Sequence, residues 1–433
     1  MSDANFVIAK IIEIGPVIII PSILFLAGFI TTRNPLKNFL NSLYILIGII
    51  GLSISLTLFI NFFTPLIETI VSSSKKEFLV ADIGWSATKQ VIFNSPITLY
   101  VLIAVAFLNL VMLLFRLTRT INIDLWNWTI FLLAGSIVFT VTDIKWLGVL
   151  VAVVISAVTL VITDIYSPYL ENFYGLKSIS NPQTQLVVWT PIVHFVNMVL
   201  NKIPLIKKVH IFYAEVKYRL GIVSEPMIMG FILGFIAGIV TKYKNLTIYP
   251  WQSILFALSM ALQLAVIMII MPRFMTLLYR GLSSAVNDIS SFIRSKITKR
   301  DLYIGLDAIY FAGHPEVIGL SVIIIPLTVY IATILPGNII LPAADLILIP
   351  FLLIWVLAPS RGDIIRSFIS SIIIVPLTLW ISSDMGNLFT IFFQKYGIEI
   401  NNNLEKISSY GTSSNWLFWI LLQIIKPVLN LFN

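Results

Sequence analysis

The sequence contains no cysteine and only three histidines, His194, His210 and His314, in 433 residues. Without cysteine there are no disulfides, no thiolate or iron–sulfur sites, no lipoprotein anchor and no cysteine nucleophile. The histidines are too scattered for metal-ligand spacing, so neither a metal nor another cofactor is expected. Charge is scarce as well. The 28 Lys and Arg and the 20 Asp and Glu make up 11% of the chain, against about 25% in a soluble domain. They are too few to cover the water-exposed surface of a soluble fold of this length. No G-x-x-x-x-G-K loop occurs, which excludes an ATPase built on that motif. No span carries repeated arginines and no T-V-G-Y-G filter is present, which argues against a voltage sensor or a potassium pore.

Apolar residues fill the chain instead: 58% are hydrophobic, and the mean hydropathy is +0.98. Barrel strands would alternate over about 10 residues. Here the runs are long and apolar all round, so the class is an all-α polytopic membrane protein. Runs near 11–30, 39–63, 96–115, 128–142, 147–163, 225–241, 251–271, 316–335, 339–358, 364–381 and 415–432 approach the roughly 20 residues of a spanning helix. They predict ten to twelve transmembrane helices within a single permease unit over residues 1–433. The first run carries Glu13 and no small-residue cleavage site follows it, so it reads as a retained span. Residues 64–95, 164–224 and 272–313 are too polar for spans. They read as extramembrane loops or as re-entrant segments packed against protein.

Basic residues cluster at Lys202, Lys207, Lys208, Lys217 and Arg219, and again at Arg273, Arg280, Arg294, Lys296, Lys299 and Arg300. Two predicted spans separate the clusters, which places both on one side, the cytoplasmic side by the positive-inside rule. This bias explains the net charge of +8 without a nucleic-acid partner.

Polar residues beside apolar runs are the candidates for function. Glu225-Pro226 opens an apolar run that contains glycines. Proline suits a first helical turn, and the free amides there attract oxygen-rich ligands, as in transporter sites made from interrupted helices. His314-Pro315-Glu316 has the same arrangement, and residues 224–230 and 313–319 share a seven-residue pattern. An imidazole can donate to and accept from a polyol hydroxyl; the plainer alternative is a satisfied buried histidine. Asp82-Ile83-Gly84-Trp85 joins a carboxylate to an indole, a pairing that suits sugars, although tryptophan is also common at membrane interfaces. Leu335-Pro336-Gly337-Asn338 marks either a broken helix or a tight turn between spans. Arg116-Leu117-Thr118-Arg119 and the following Trp126 read as interfacial anchors. These features describe a transporter of a polar solute, energised by something outside the chain.

The order and spacing of these motifs resemble the membrane subunit, component IIC, of the galactitol-type sugar phosphotransferase system. The resemblance runs from about residue 11 to residue 381. It is carried by Ile14-Gly15-Pro16, Asp82-Ile83-Gly84-Trp85, Arg116-Leu117-Thr118-Arg119 with Ile123-Asp124-Leu125-Trp126-Asn127, and Glu225-Pro226. Further carriers are Ile304-Gly305-Leu306-Asp307, Gly313-His314, Ile325-Pro326-Leu327-Thr328, Pro336-Gly337-Asn338, Leu341-Pro342 and Asp345.

The resemblance implies a multi-pass permease of a bacterial plasma membrane. It would bind an alditol or related sugar and move it inward as a separate IIB protein, charged by IIA, phosphorylates it. It further implies broken and re-entrant helices in inverted repeats, an elevator-type core moving against a scaffold, and a homodimer. No phospho-accepting catalytic residue is expected on this chain. The expected sugar contacts are Asp82, Trp85, Glu225, Asp307 and His314, with Gln183 and Asn338 as further candidates. Gln183, in Ser180-Asn181-Pro182-Gln183-Thr184, stands where close relatives of the galactitol permease carry a histidine. Glutamine keeps donor and acceptor but cannot change charge. Two other classes stay open. One is a cation- or proton-coupled secondary transporter in which Glu225, Asp307 and His314 relay protons. The other is a membrane enzyme acting on lipid-linked substrates, which would need a tighter acid or histidine cluster than the spacing shows.

Overall fold

Proline and glycine punctuate the apolar runs, and the chain breaks into the same series of elements twice. A computed structural model describes residues 16–32, 34–296, 299–398 and 405–429; Glu13, Ile14 and Gly15 lie outside the described residues. The first series is α1 (Pro16–Thr31), α2 (Pro35–Ser73), β1 (Val80–Asp82), α3 (Gly84–Ile92), α4 (Thr98–Leu114), β2 (Thr120–Asn122), α5 (Leu125–Thr142), α6 (Lys145–Tyr174), β3 (Ile179–Ser180), α7 (Thr184–Val187) and α8 (Thr190–Leu200). Two short helices, α9 (Pro204–Lys207) and α10 (Tyr213–Leu220), form the link. The second series is α11 (Pro226–Thr241), α12 (Pro250–Lys296), β4 (Tyr303–Gly305), α13 (Ile309–Ala312), α14 (Pro315–Ile334), β5 (Ile340–Leu341), α15 (Leu348–Leu357), α16 (Ile364–Lys395), β6 (Lys406–Ser408), α17 (Tyr410–Ser413) and α18 (Trp416–Leu429).

The described residues are 76% helical, and the chain is an all-α polytopic membrane protein. Among the described residues, six helices are long and apolar enough to cross a membrane, and six apolar helices of 10–17 residues accompany them. The apolar runs were therefore sound guides to helices, but half of those helices are too short to cross alone.

Several helices continue through the stretches that composition assigns to loops. α2 runs on to Ser73, α6 to Tyr174 and α12 to Lys296. At 1.5 Å per residue, the 47 residues of α12 extend about 70 Å, more than twice a hydrocarbon core of about 30 Å. The second basic cluster thus begins on a helix and not in a loop. Two of its charges are met locally: the Arg280 guanidinium lies 4.5 Å from the Tyr44 ring centre, and Arg294 pairs with Asp301.

The similarity between residues 224–230 and 313–319 is not the repeat. Glu225 precedes α11, whose counterpart is α1, whereas His314 precedes α14, whose counterpart is α4. What the two segments share is a proline in the first helical turn.

The six strands make two small parallel sheets that interlock the repeats. One has the order β5-β1-β6, the other β2-β4-β3. Each therefore takes its central strand from one repeat and both flanking strands from the other. Val80 aligns with Ile340 and Lys406, while Ile304 aligns with Ile121 and Ile179. Within a membrane an unpaired backbone group costs several kcal/mol, and extended backbone survives there only when buried in protein. The sheets meet that condition: Val80, Ile340, Ile407, Ile179 and Ile304 are all buried.

Two groups of helices result. α1, α2, α11 and α12 pack on one another. Gly230, Gly234 and Gly238, one per turn, seat α11 directly on the α12 backbone; a Cβ at Gly234 would stand 2.6 Å from the Met260 carbonyl oxygen. Such small-residue faces are how helices approach closely in lipid, where hydrophobicity gives little drive to associate. The remaining helices surround the two sheets around a core that includes Trp189, Trp355, Phe311, Phe389 and Phe393. α2 and α14 join the groups.

Candidate substrate site

Both sheets end at one cavity of about 320 Å³, at the small end of the range for small-molecule sites. Strand ends, short helix starts and α2 converge there. Ile49 and Ser53 come from α2; the other lining residues belong to the group built around the sheets.

At the first sheet, Asp82 ends β1 and ties three loop tips together. Its Oδ1 accepts from the amides of Gly84 (3.2 Å) and Tyr410 (3.0 Å), and its Oδ2 from those of Ala344 (3.0 Å) and Asp345 (2.9 Å). Asp345 returns the tie, accepting from Trp85 N at 2.6 Å, Ser409 Oγ at 2.7 Å and Gly411 N at 2.8 Å. Gly84 sits at φ +78°, and a Cβ there would crowd Ala344 and Asp345. Glycine is therefore required where the backbone turns from β1 into α3. This network holds Trp85 and, one helical turn later, Lys89 against the cavity.

The Trp85 and Trp126 rings meet edge to face with centroids 6.4 Å apart. Lys89 Nζ lies 4.1 Å from the Trp126 ring centre and 5.5 Å from that of Trp85, within Coulombic reach of Asp307 and Asp345. A desolvated ammonium over an indole gains on the order of 2 kcal/mol. Asp307 accepts from Ile309 N at 2.9 Å through Oδ1. Gln185 donates to Ser414 Oγ at 2.9 Å, and its Oε1 is buried without a hydrogen-bond partner, as is Gln183 Oε1. Ile130, Leu186, Ile347, Leu348 and Phe351 supply an apolar wall. The cavity thus offers two buried acceptors that want donors, one carboxylate, one ammonium and an indole pair. A compact polyhydroxylated molecule meets all four, with hydroxyls for the polar atoms and C–H faces for the rings.

Of the residues predicted from sequence, Trp85, Gln183 and Asp307 line this cavity, and Asp82 orders the loops that form it. The other three lie elsewhere. Asn338 is buried in the turn after α14, donating to Ala332 O and Ile340 O and accepting from Ser383 Oγ, each at 2.9 Å. With Gly337 at φ +75°, that segment is a tight turn leading into β5. His314 packs between Phe173 and Tyr174, with ring centroids 5.0 and 5.1 Å away, and its Nδ1 is buried without a partner. Glu225 is exposed at the start of α11 and makes no side-chain cap.

Lys89, Gln185 and Tyr310 line the cavity without having drawn attention in the sequence. Lys89 carried a signal, since it follows Trp85 by four residues and so shares its helix face. Gln185 and Tyr310 carried none. Trp126 was read as an interfacial anchor, and Asp345 was noted for its motif alone.

A family model described as "PTS system sugar-specific permease component" matches residues 10–400. The chain belongs to this family. Among curated relatives it is 27% identical to the "PTS system galactitol-specific EIIC component" of Escherichia coli (strain K12), over 97% of this chain and 91% of that protein. The protein of the same description from Escherichia coli O157:H7 shows the same identity and coverage. As a member of the phosphotransferase permease family, the chain is a multi-pass protein of the bacterial plasma membrane and cooperates with separate IIA and IIB components.

Proposed function

We propose that this permease binds galactitol or a closely related sugar alcohol in the cavity between the two sheets. The observation that supports this reading is the pair of buried acceptors without a hydrogen-bond partner, Gln183 Oε1 and Gln185 Oε1, on two residues that line the same cavity as Trp85, Lys89 and Trp126. Hydroxyl hydrogens answer those acceptors, and an uncharged solute leaves the opposed charges of Lys89 and Asp307 in balance. Asp82, Trp85, Gln183 and Asp307 belong to this site; Glu225, His314 and Asn338 do not.

Translocation follows from how the walls are divided. Nearly all lining residues ride on the sheet-centred group, and one wall belongs to α2 of the four-helix group. An elevator movement of the first group against the second would carry the whole cavity with its sugar. In this reading the four-helix group is the scaffold, and its exposed face, including Leu255 and Leu262, meets a second copy in a homodimer.

The test is phosphoenolpyruvate-dependent phosphorylation of a panel of alditols and hexoses, with IIA and IIB supplied, beside binding of the unmodified sugars. Galactitol or a close analogue should be preferred. Gln183→Ala should weaken its binding about 5- to 150-fold, equivalent to about 1–3 kcal/mol for a lost buried partner. Accumulation of unmodified sugar in vesicles without phosphoenolpyruvate would favour a cation-coupled carrier instead.

A further inference from the structure

A second hollow, of about 320 Å³, opens between the end of α8, the loop that follows it and the turn joining α15 to α16. His194, Asn197, His210, Arg361, Asp363 and Arg366 line it. We propose that this hollow is a phosphomonoester-binding subsite at the cytoplasmic end of the sugar path; the inference rests on the permease reading above.

A guanidinium and an imidazole share one carboxylate. Arg366 is buried, its Nε 3.2 Å from Asp363 Oδ2, and His210 Nδ1 lies 2.7 Å from the same oxygen. Asp363 is the acid among the described lining residues, and its oxygens are already committed. Oδ1 caps α16 through the amides of Ile365 and Arg366, and Oδ2 faces His210 and Arg366. It positions Arg366 and His210 and leaves the rest of the Arg366 guanidinium to the hollow. No hydrogen bond to the Arg366 Nη atoms occurs among the described residues. Aromatic rings hold both imidazoles: His194 lies against Tyr166 and Tyr169, and His210 stacks on Phe212 with the planes 10° apart.

Arg361 takes the left-handed position, φ +55°, of a Schellman turn that closes α15: its amide donates to Ala358 O and that of Gly362 to Leu357 O. Its side chain is exposed and makes no hydrogen bond or ion pair among the described residues. The conformation sets a guanidinium on the rim, and arginine's planar fork matches the oxygens of a phosphoryl group.

Location agrees with the chemistry. α15 carries Leu348 and Phe351 at the sugar cavity and leads straight to Ser360 and Arg361 at the hollow. The six helical steps from Phe351 to Leu357 rise about 9 Å before the turn to Ser360. The loop beside the hollow bears Lys202, Lys207 and Lys208, which the positive-inside rule assigns to the cytoplasm, where phosphorylation takes place. Asn197 Oδ1, buried and without a partner, would take a hydroxyl hydrogen such as a sugar phosphate supplies. The phosphomonoester could come from the phosphorylated product or from the phosphorylated residue of a partner protein.

The experiment is equilibrium titration of the full chain in nanodiscs with inorganic phosphate, a hexitol phosphate and the unmodified hexitol. Both phosphate compounds should bind. Arg361→Gly and His210→Gln should each weaken them about tenfold or more and leave hexitol affinity within about twofold. Glycine tolerates the left-handed turn, so Arg361→Gly should melt no lower than the parent. Tighter binding of the hexitol phosphate than of phosphate supports the product as occupant. Equal binding supports the phosphoryl group of a partner. Hexitol binding without phosphate binding, or phosphate binding unmoved by Arg361→Gly, overturns the subsite and spares the permease reading. Phosphate binding with no hexitol binding supports the subsite and counts against the sugar cavity.

Discussion

Each sheet ends in two aspartates drawn from different repeats: Asp82 with Asp345 at one, Asp124 with Asp307 at the other. The repeat relates the pairs to each other, but they are held very differently. Asp82 and Asp345 together accept from six backbone amides and the Ser409 hydroxyl. Asp124 accepts from Trp126 N through Oδ1 and has the Asp307 amide beside it, and Asp307 accepts from Ile309 N. Duplication thus supplied two equivalent sets of carboxylates. One set became the staple that fixes the loop tips. In the other, Asp307 kept an oxygen free for the cavity. The aromatic wall is divided in the same way, since Trp85, Lys89 and Trp126 all come from the first repeat.

The contrast is broken most directly by removing a staple. Asp345→Ala leaves Trp85 N, Ser409 Oγ and Gly411 N without their acceptor. Each orphaned buried donor costs about 1–3 kcal/mol, so the total reaches at least about 3 kcal/mol of a stability that is typically about 5–15 kcal/mol. The expected outcome is a markedly lower melting temperature in detergent and a reduced yield in the membrane fraction, whether or not sugar is present.

Asp307→Asn should separate affinity from stability. One amide bond to Ile309 is retained through the remaining carbonyl oxygen, so the melting temperature should stay near that of the parent. Sugar binding should fall about 5- to 150-fold, from about 1–3 kcal/mol of lost charge-assisted hydrogen bonding. Equilibrium binding and thermal melts of the same preparation decide the point. If Asp307→Asn melts as low as Asp345→Ala, the two pairs are alike and the division of labour is refuted.

The sequence made part of this arrangement legible. Asp82-Ile83-Gly84-Trp85 could be read because a carboxylate, a glycine and an indole in four residues are rare beside an apolar run. The structure shows why each is there: acceptor for four amides, positive φ, and cavity wall. Lys89 escaped because it lies in the polar stretch 64–95, where a lysine is unremarkable, and its neighbour Trp126 is 37 residues away. The strands were hidden for a physical reason. Two or three residues are too few for an alternation to register, so β5 vanished into the apolar run 339–358. The repeat was hidden because α2, of 39 residues, and α12, of 47, correspond in place and packing without sharing a motif, while an unrelated pair of prolines imitated one.

Glu225 offers the smallest expected effect and the sharpest boundary for the site. Its setting resembles a ligand-binding helix start: an acid, then Pro226, then a glycine face. The glycines, however, are occupied by α12, and the Glu225 side chain is exposed. The surviving role is a charge at a helix N-terminus, worth about 0.3–1 kcal/mol. Glu225→Gln should therefore lower the melting temperature slightly and change sugar uptake, measured in vesicles with matched protein content, by less than about twofold. A fall of about tenfold would require the sugar path to pass α11 itself. The cavity would then have to reach into the four-helix group, and that group could no longer serve as a stationary scaffold.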